Sequence, residues 1–239
     1  MLKELPPKEE HVRKISLSEE EQKLYYACVQ AAVAGLGDGQ GKLQILAALT
    51  RLRQVCCDPG LCFENYEGPT SKLDACVELC EAMAENDHQI LLFSQFTSML
   101  DRLRERLDAL HISNFTLQGS TPKEKRAAMV KAFNAGSASV FLISLKAGGM
   151  GLNLTAADIV IHYDPWWNQA AQDQATDRAH RIGQQAHVQV YKLIAKDTIE
   201  EKILELQEKK AALLDTISGC EETRILNMSS EELLSLLKS

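Results

Sequence analysis

The sequence holds little that belongs at a membrane or outside a cell. None of its apolar runs reaches the length of a membrane-spanning helix. Met1 to Glu10 is polar and proline-containing, without the apolar stretch of a secretory signal. The 7 cysteines are odd in number and form no disulfide framework. Cys56, Cys57, Cys62, Cys76 and Cys80 cluster loosely, but no Cys-x-x-Cys pairs with another and the spacing does not suit zinc. Cys76 and Cys80, four apart in a helical pattern, read as buried helix cysteines in a reducing compartment. An intracellular protein is expected. A net charge of -7 argues against a general polyanion binder, yet leaves room for a local basic strip that tracks phosphates.

What is present organises the chain. Residues 1–16, broken by Pro6-Pro7, read as a connector. Ser18 to Glu21 is a capping box that opens a helix running to about Leu36. A second helix spans about Leu43 to Cys57, with Leu43, Leu46, Leu49 and Leu52 marking its apolar side, and a third spans about Ser71 to Glu85. From residue 88 short apolar runs alternate with helical patterns. Strands are expected over 90–94, 114–117, 139–143, 158–163 and 188–193. Helices are expected over 97–111, from Thr121 (N-cap, with Pro122 at N1 and Glu124 at N3), and over 168–181. A long last helix is expected to be capped by Asp197 with Glu200 at N3, and Ser230-Glu231-Glu232 suggests a short terminal helix. Such alternation predicts an α/β fold, a mostly parallel sheet with helices on both faces and ligands at the carboxyl ends of the strands.

The unusual residues fall at those ends. Gln174, Arg178 and Arg181 stand at i, i+4 and i+7, so one helix face would carry both arginines. Two guanidinium forks there can grip phosphate oxygens; the blander reading is a solvated face with an Asp177–Arg181 pair. Ser144 to Leu154 follows a strand and holds three glycines in four residues, which lets backbone approach a ligand. Asp164-Pro165-Trp166-Trp167-Asn168 places both tryptophans of the chain at one strand end, where a hydrophobic plug is the alternative.

Phe93-Ser94-Gln95-Phe96, Leu117-Gln118-Gly119-Ser120, the Gly-rich segment, Asp164 to Asn168 and Gln174 to Gln184 together resemble, in order and spacing, helicase-like motifs IV to VI of the SNF2 family of DNA-dependent ATPases. The resemblance covers at least residues 70–195. It implies a RecA-like (P-loop NTPase-type) lobe over 70–195, helical additions over 17–69, and a C-terminal helical brace and tail over 196–239. It implies that Arg178 and Arg181 are arginine fingers reaching a γ-phosphate. Gln174, Gly149, Gly151 and Asn153 would approach the nucleotide. Ser94, Gln95, Gly119, Ser120, Ser144, Lys146 and Trp167 would contact a DNA backbone, while Trp166 packs. Leu145-Lys146 and Gln118 depart from common forms of the motifs, which bears on DNA contacts rather than ATP chemistry.

The resemblance also sharpens two absences. A P-loop needs G-x-x-x-x-G-K-[ST]. The one Gly-Lys, Gly41-Lys42, is followed by Leu43, and Leu36 stands where the first glycine should be. No Asp-Glu-x-His box follows a strand. ATP with Mg2+ would therefore be bound mainly by another lobe, and this stretch alone is not expected to hydrolyse it. Met1 directly before a mid-protein-like sequence suggests a piece of a longer chain. The expected partners are double-stranded DNA, the N-terminal RecA-like lobe of the same protein and a DNA-bound protein target, in the cytoplasm of a bacterium or the nucleus of a eukaryote. The alternatives are a lobe of a strand-separating helicase of the same superfamily, a noncatalytic DNA- or protein-binding module, and a flavodoxin-like anion-binding domain.

Overall fold

The computed structural model describes residues 8–35, 41–148, 152–181, 184, 186–214 and 228–238. Contacts divide the chain into two compact units, one of Met1–Arg13 with Leu73–Leu193 and one of Lys14–Lys72 with Ile194–Ser239.

The first unit carries the sheet. Strands β1 (Lys8–Ile15), β2 (Ile90–Ser94), β3 (Asn114–Leu117), β4 (Val140–Ser144), β5 (Ile159–His162) and β6 (Val188–Ala195) lie in the order β1-β6-β5-β2-β4-β3. All the pairings among β2 to β6 are parallel. Every residue of β2, β4 and β5 is buried, which explains why these strands read as continuous apolar runs rather than alternating ones. Side chains alternate between faces. Leu91, Phe93, Phe141, Ile143, Val160 and Val190 enter one core with Leu117 and Phe133. Ile90, Leu92, Leu142 and Ile161, on the opposite face, are equally enclosed.

Strand β1 gives residues 8–15, read above as connector, a regular structure that the sequence did not announce. It is mostly exposed and charged, so no apolar pattern betrays it. Cross-strand charge supports it instead: Glu10 pairs with Lys192 of β6 at 2.7 Å and with Lys8 at 2.9 Å, and His11 stacks on Tyr191 with centroids 5.1 Å apart. Charged side chains also suit a sheet edge.

Helices α3 (Ser71–Glu85), α4 (Thr97–Ala109), α5 (Lys123–Asn134), α6 (Leu145–Gly148) and α7 (Gln169–Thr176) connect the strands. Helix α5 starts one residue later than its sequence signals predicted. Thr121 Oγ1 does not cap it but accepts the Gln118 N–H at 3.1 Å, which leaves Pro122 as the N-cap.

The second unit is helical: α1 (Glu19–Gly35), α2 (Lys42–Cys57), α8 (Ile199–Leu214) and a terminal helix (Ser230–Lys238). The capping box predicted at Ser18 is present. Ser18 Oγ accepts the Glu21 N–H at 3.2 Å and Glu21 Oε2 accepts the Ser18 N–H at 2.8 Å. Glu21 also accepts the Ser71 N–H at 2.9 Å, so one buried carboxylate serves the starts of two helices. The buried stripe of α2 runs through Ile45, Leu49, Leu52 and Val55. Leu43, expected on it, is 81% exposed. Spacing of i, i+4, i+7 from Ile45 fits the core better than the leucine register did. Helix α8 is capped by Thr198, whose Oγ1 accepts the Glu200 N–H at 3.2 Å, and not by Asp197. Asp197 lies just before it at a φ of 58°. Glu200 turns inward, joining Lys72 Nζ and accepting the Ala195 N–H at 2.8 Å. Both members of this pair are fully buried. No helix among the described residues is long and apolar enough to cross a membrane.

Candidate functional site: strand ends and the arginine turn

The carboxyl ends of β2, β4 and β5 lie side by side, with Ser94 level with Ser144 and Phe93 level with His162. Just beyond β5 the chain delivers Asp164 into this row. Asp164 is fully buried, takes the Ser94 hydroxyl at 2.6 Å and the Gln95 N–H at 3.3 Å, and Ser94 Oγ in turn accepts the Phe96 N–H at 3.1 Å. A buried carboxylate needs such donors. The hydroxyl of Ser94, a residue expected to contact DNA, is wholly enclosed and committed to Asp164. Ser144 is buried as well and accepts the Ala147 N–H at 3.4 Å. Both serines brace the loops from within.

Gln95, Gly119, Ser120 and Trp167 are less enclosed than these serines. Gln95 is half-buried, and its Nε2 has no hydrogen bond among the described residues. Gly119 and Ser120 are exposed, with open space where a Gly119 Cβ would stand. Lys146 lies in α6 directly after β4. Trp167 is half-buried, whereas Trp166 packs against the core, its backbone N–H donating to Gln172 Oε1 at 3.2 Å.

Helix α7 begins where the sequence placed it, with Asn168 Oδ1 accepting the Ala171 N–H at 3.2 Å. It ends earlier, at Thr176 rather than Arg181. The Arg178 N–H turns back to the Ala175 carbonyl at 3.2 Å, a tightened i−3 bond. The Arg178 carbonyl then accepts the Leu154 N–H at 3.1 Å instead of continuing a helix. Gln174, Arg178 and Arg181 therefore do not share one helical face. Gln174 is exposed on α7, Arg178 is 8% exposed within the turn, and Arg181 is exposed beyond it.

The turn is tied to the end of the Gly-rich segment in a way the sequence did not show. Gln184 Nε2 donates to the Ala157 carbonyl at 2.7 Å and to the Ala179 carbonyl at 3.2 Å. From the other side Asn134 of α5 donates to the Asn153 carbonyl at 2.9 Å and accepts the Ala156 N–H at 3.4 Å. Residues 152–157 are thus held between α5 and the arginine turn, leaving the Asn153 side chain exposed. Gly149 and Gly151 lie outside the described residues. Of the bracing groups, Gln184 stood inside a recognised motif; Asn134 carries no signal in sequence.

Electrostatics favour an anion here. Burial, aided by the adjacent positive charge of Arg181, pulls the Arg178 guanidinium below the usual arginine value, with Asp177 opposing. An anionic oxygen beside both guanidinium groups would relieve both effects. Among the described residues no three His, Cys, Asp or Glu gather as metal ligands.

The chain is similar to known proteins over its whole length. The model of the helicase conserved C-terminal domain matches residues 71–183, and that of the SNF2-related domain matches residues 1–61. An uncharacterized ATP-dependent helicase of Mycoplasma genitalium is 38% identical over 241 residues, covering 100% of this chain and 23% of that protein. The SWI/SNF-related matrix-associated actin-dependent regulator of chromatin subfamily A member 1 of Mus musculus is 35% identical, covering 97% of this chain and 23% of its own length. The chain thus spans about a quarter of these relatives. Among solved structures, the SWI2/SNF2 ATPase core of Sulfolobus solfataricus in complex with double-stranded DNA superposes with a TM-score of 0.79 at 31% identity, over 97% of this chain and 50% of that one. The chain belongs to the SNF2 family and carries that family's RecA-like C-terminal lobe.

Proposed function

We propose that this chain is the second motor lobe of an ATP-dependent translocase on double-stranded DNA, and that Arg178 and Arg181 supply guanidinium groups to the γ-phosphate of an ATP held mainly by a preceding lobe. The observation that carries this is the turn itself, two cations three residues apart, fastened through the Arg178 carbonyl to Leu154 just ahead of β5. Rigid backing of that kind lets a donor stabilise charge on the transferring phosphoryl group without reorganising at each turnover. Mg2+ would accompany ATP in the other lobe and neutralise charge on its phosphates. Asn153 would approach the nucleotide from the Gly-rich side, with Gly149 and Gly151, and Gln174 from α7. Gln95, Gly119, Ser120, Lys146 and Trp167 would meet the phosphate backbone, which carries no base sequence and suits a motor that must step along any duplex. Ser94 and Ser144 set the shape of those loops from beneath. In domain terms, residues 70–195 are the motor lobe, 17–69 and 196–239 its helical additions. ATP-driven closure of the two lobes would shift these grips along the duplex. The test is DNA-stimulated ATP hydrolysis by the full-length protein: Arg181→Ala should abolish most of it while ATP and DNA still bind. Unchanged hydrolysis would remove the finger assignment.

A further inference from the structure

A buried imidazole behind the arginine turn is the feature of the site that no motif accounts for. His162 closes β5 and is 1% exposed. Its ring stacks on Phe93 with centroids 5.6 Å apart and 22° between planes. Its Nε2 lies 2.9 Å from the hydroxyl of Thr176, the last residue of α7. The backbone of Thr176 is where the turn starts: its carbonyl accepts the Ala179 N–H at 3.0 Å and the His180 N–H at 3.2 Å, the two bonds that fold the chain around Arg178.

The other nitrogen shows what this arrangement costs. His162 Nδ1 is buried and has no hydrogen bond among the described residues. Burial first, then the cations Lys192 and Lys8, hold the imidazole down at about 3, with Glu10 opposing. It is therefore neutral near pH 7 and has one donor and one acceptor nitrogen to place. Among the described residues only one of them finds a partner. A buried polar atom left unpaired is destabilising, and an aromatic hydrocarbon of similar size on Phe93 would avoid that penalty. Stability alone does not explain a histidine here. Its one satisfied nitrogen points at the residue that ends α7.

We propose that His162 is a positioning residue for phosphoryl transfer, fixing Thr176 through Nε2 so that α7 ends where it must for the turn to present Arg178. The inference rests on the finger reading above. It assigns His162 no contact with ATP or DNA. It acts at one remove, through the Thr176 hydroxyl, and misplacement of a catalytic donor by as little as an ångström can cost on the order of a hundredfold in rate.

The test uses the full-length protein with saturating duplex DNA. His162→Phe should keep the stack on Phe93 and leave the thermal midpoint unchanged or raised, while kcat for ATP hydrolysis falls by roughly ten- to a hundredfold. KM for ATP and the affinity for DNA should stay near the wild-type values. His162→Gln, whose amide nitrogen can reach the place of Nε2, should restore much of kcat. Thr176→Val should lose as much as His162→Phe, and the double variant should be no worse than either, as expected of two residues acting through one bond. Unchanged kcat in His162→Phe would overturn the proposal. So would a loss that follows a lowered midpoint and is not recovered by glutamine. Arg178→Ala and Arg181→Ala run alongside separate the two ideas: full activity in both removes the finger reading, whereas inactive arginine variants beside an active His162→Phe remove only the positioning role.

Discussion

Arg178 and Arg181 stand three residues apart and differ in what each can give. Arg181 is exposed, so its removal touches little inside the protein. Arg181→Ala should leave the thermal midpoint within a degree or two of wild type, and it should lower kcat steeply, with finger losses reaching roughly 10³–10⁵. Arg178 is almost wholly enclosed, so removing its side chain also removes packing. Arg178→Ala should therefore lower both kcat and the midpoint, read by hydrolysis assays and calorimetry on the same preparation. His162 adds a prediction in pH. Its folded value, about 3, lies below the ordinary 6.5. The unfolded chain therefore takes up the proton first, so stability contributed here is present above about pH 6.5 and is lost as pH falls towards 3. Urea midpoints at pH 7 and pH 4 should differ less in His162→Phe than in wild type.

At the scale of elements, the most exposed dependence is the seating of α8 on the buried Lys72–Glu200 pair. Glu200→Ala leaves an ammonium in the interior without its carboxylate and should cost about 3–5 kcal/mol in urea unfolding. Adding Lys72→Met should recover part of that, because the stranded charge is then gone. Elements also show where sequence was a good guide. β2, β4 and β5 were legible because total burial makes a strand uniformly apolar, and the Ser18 box was legible because its two bonds close within three residues. β1 was not, since Glu10, Lys192, His11 and Tyr191 hold it by charge and ring contact across strands rather than by an apolar face. The end of α7 was missed for a related reason. Propensity would carry the helix on to Arg181, but the Leu154 N–H claims the Arg178 carbonyl, and no local pattern announces a partner that distant. The same limit hid His162 and Asn134, whose importance lies wholly in what they touch.

For the chain as a whole, a net charge of -7 sets the terms on which the proposed lobe would meet DNA. An acidic protein gains nothing from its overall field on approaching a polyanion, so affinity must come from the few groups facing the phosphates. Binding of the full-length protein to duplex DNA should weaken linearly in log–log form as salt rises, with a slope that counts those contacts and does not change with base sequence. Lys146→Ala should reduce that slope by about 1. A slope that depends on sequence would point to base readout and away from a translocating grip.

The shared carboxylate of Glu21 has a consequence in time as well as in energy. Its bonds with Ser18 span three residues and can form as soon as that stretch of chain exists. Its bond to the Ser71 N–H must await closure of a 50-residue loop, and loop-closure entropy has to be met before that contact contributes. The start of α1 is therefore available to an early nucleus, and the start of α3 is completed late. Ser18→Ala should slow refolding, whereas Ser71→Ala, which removes the Ser71 hydroxyl that also donates to Glu21, should act mainly by quickening unfolding, so that a single glutamate divides its influence between the two arms of the chevron.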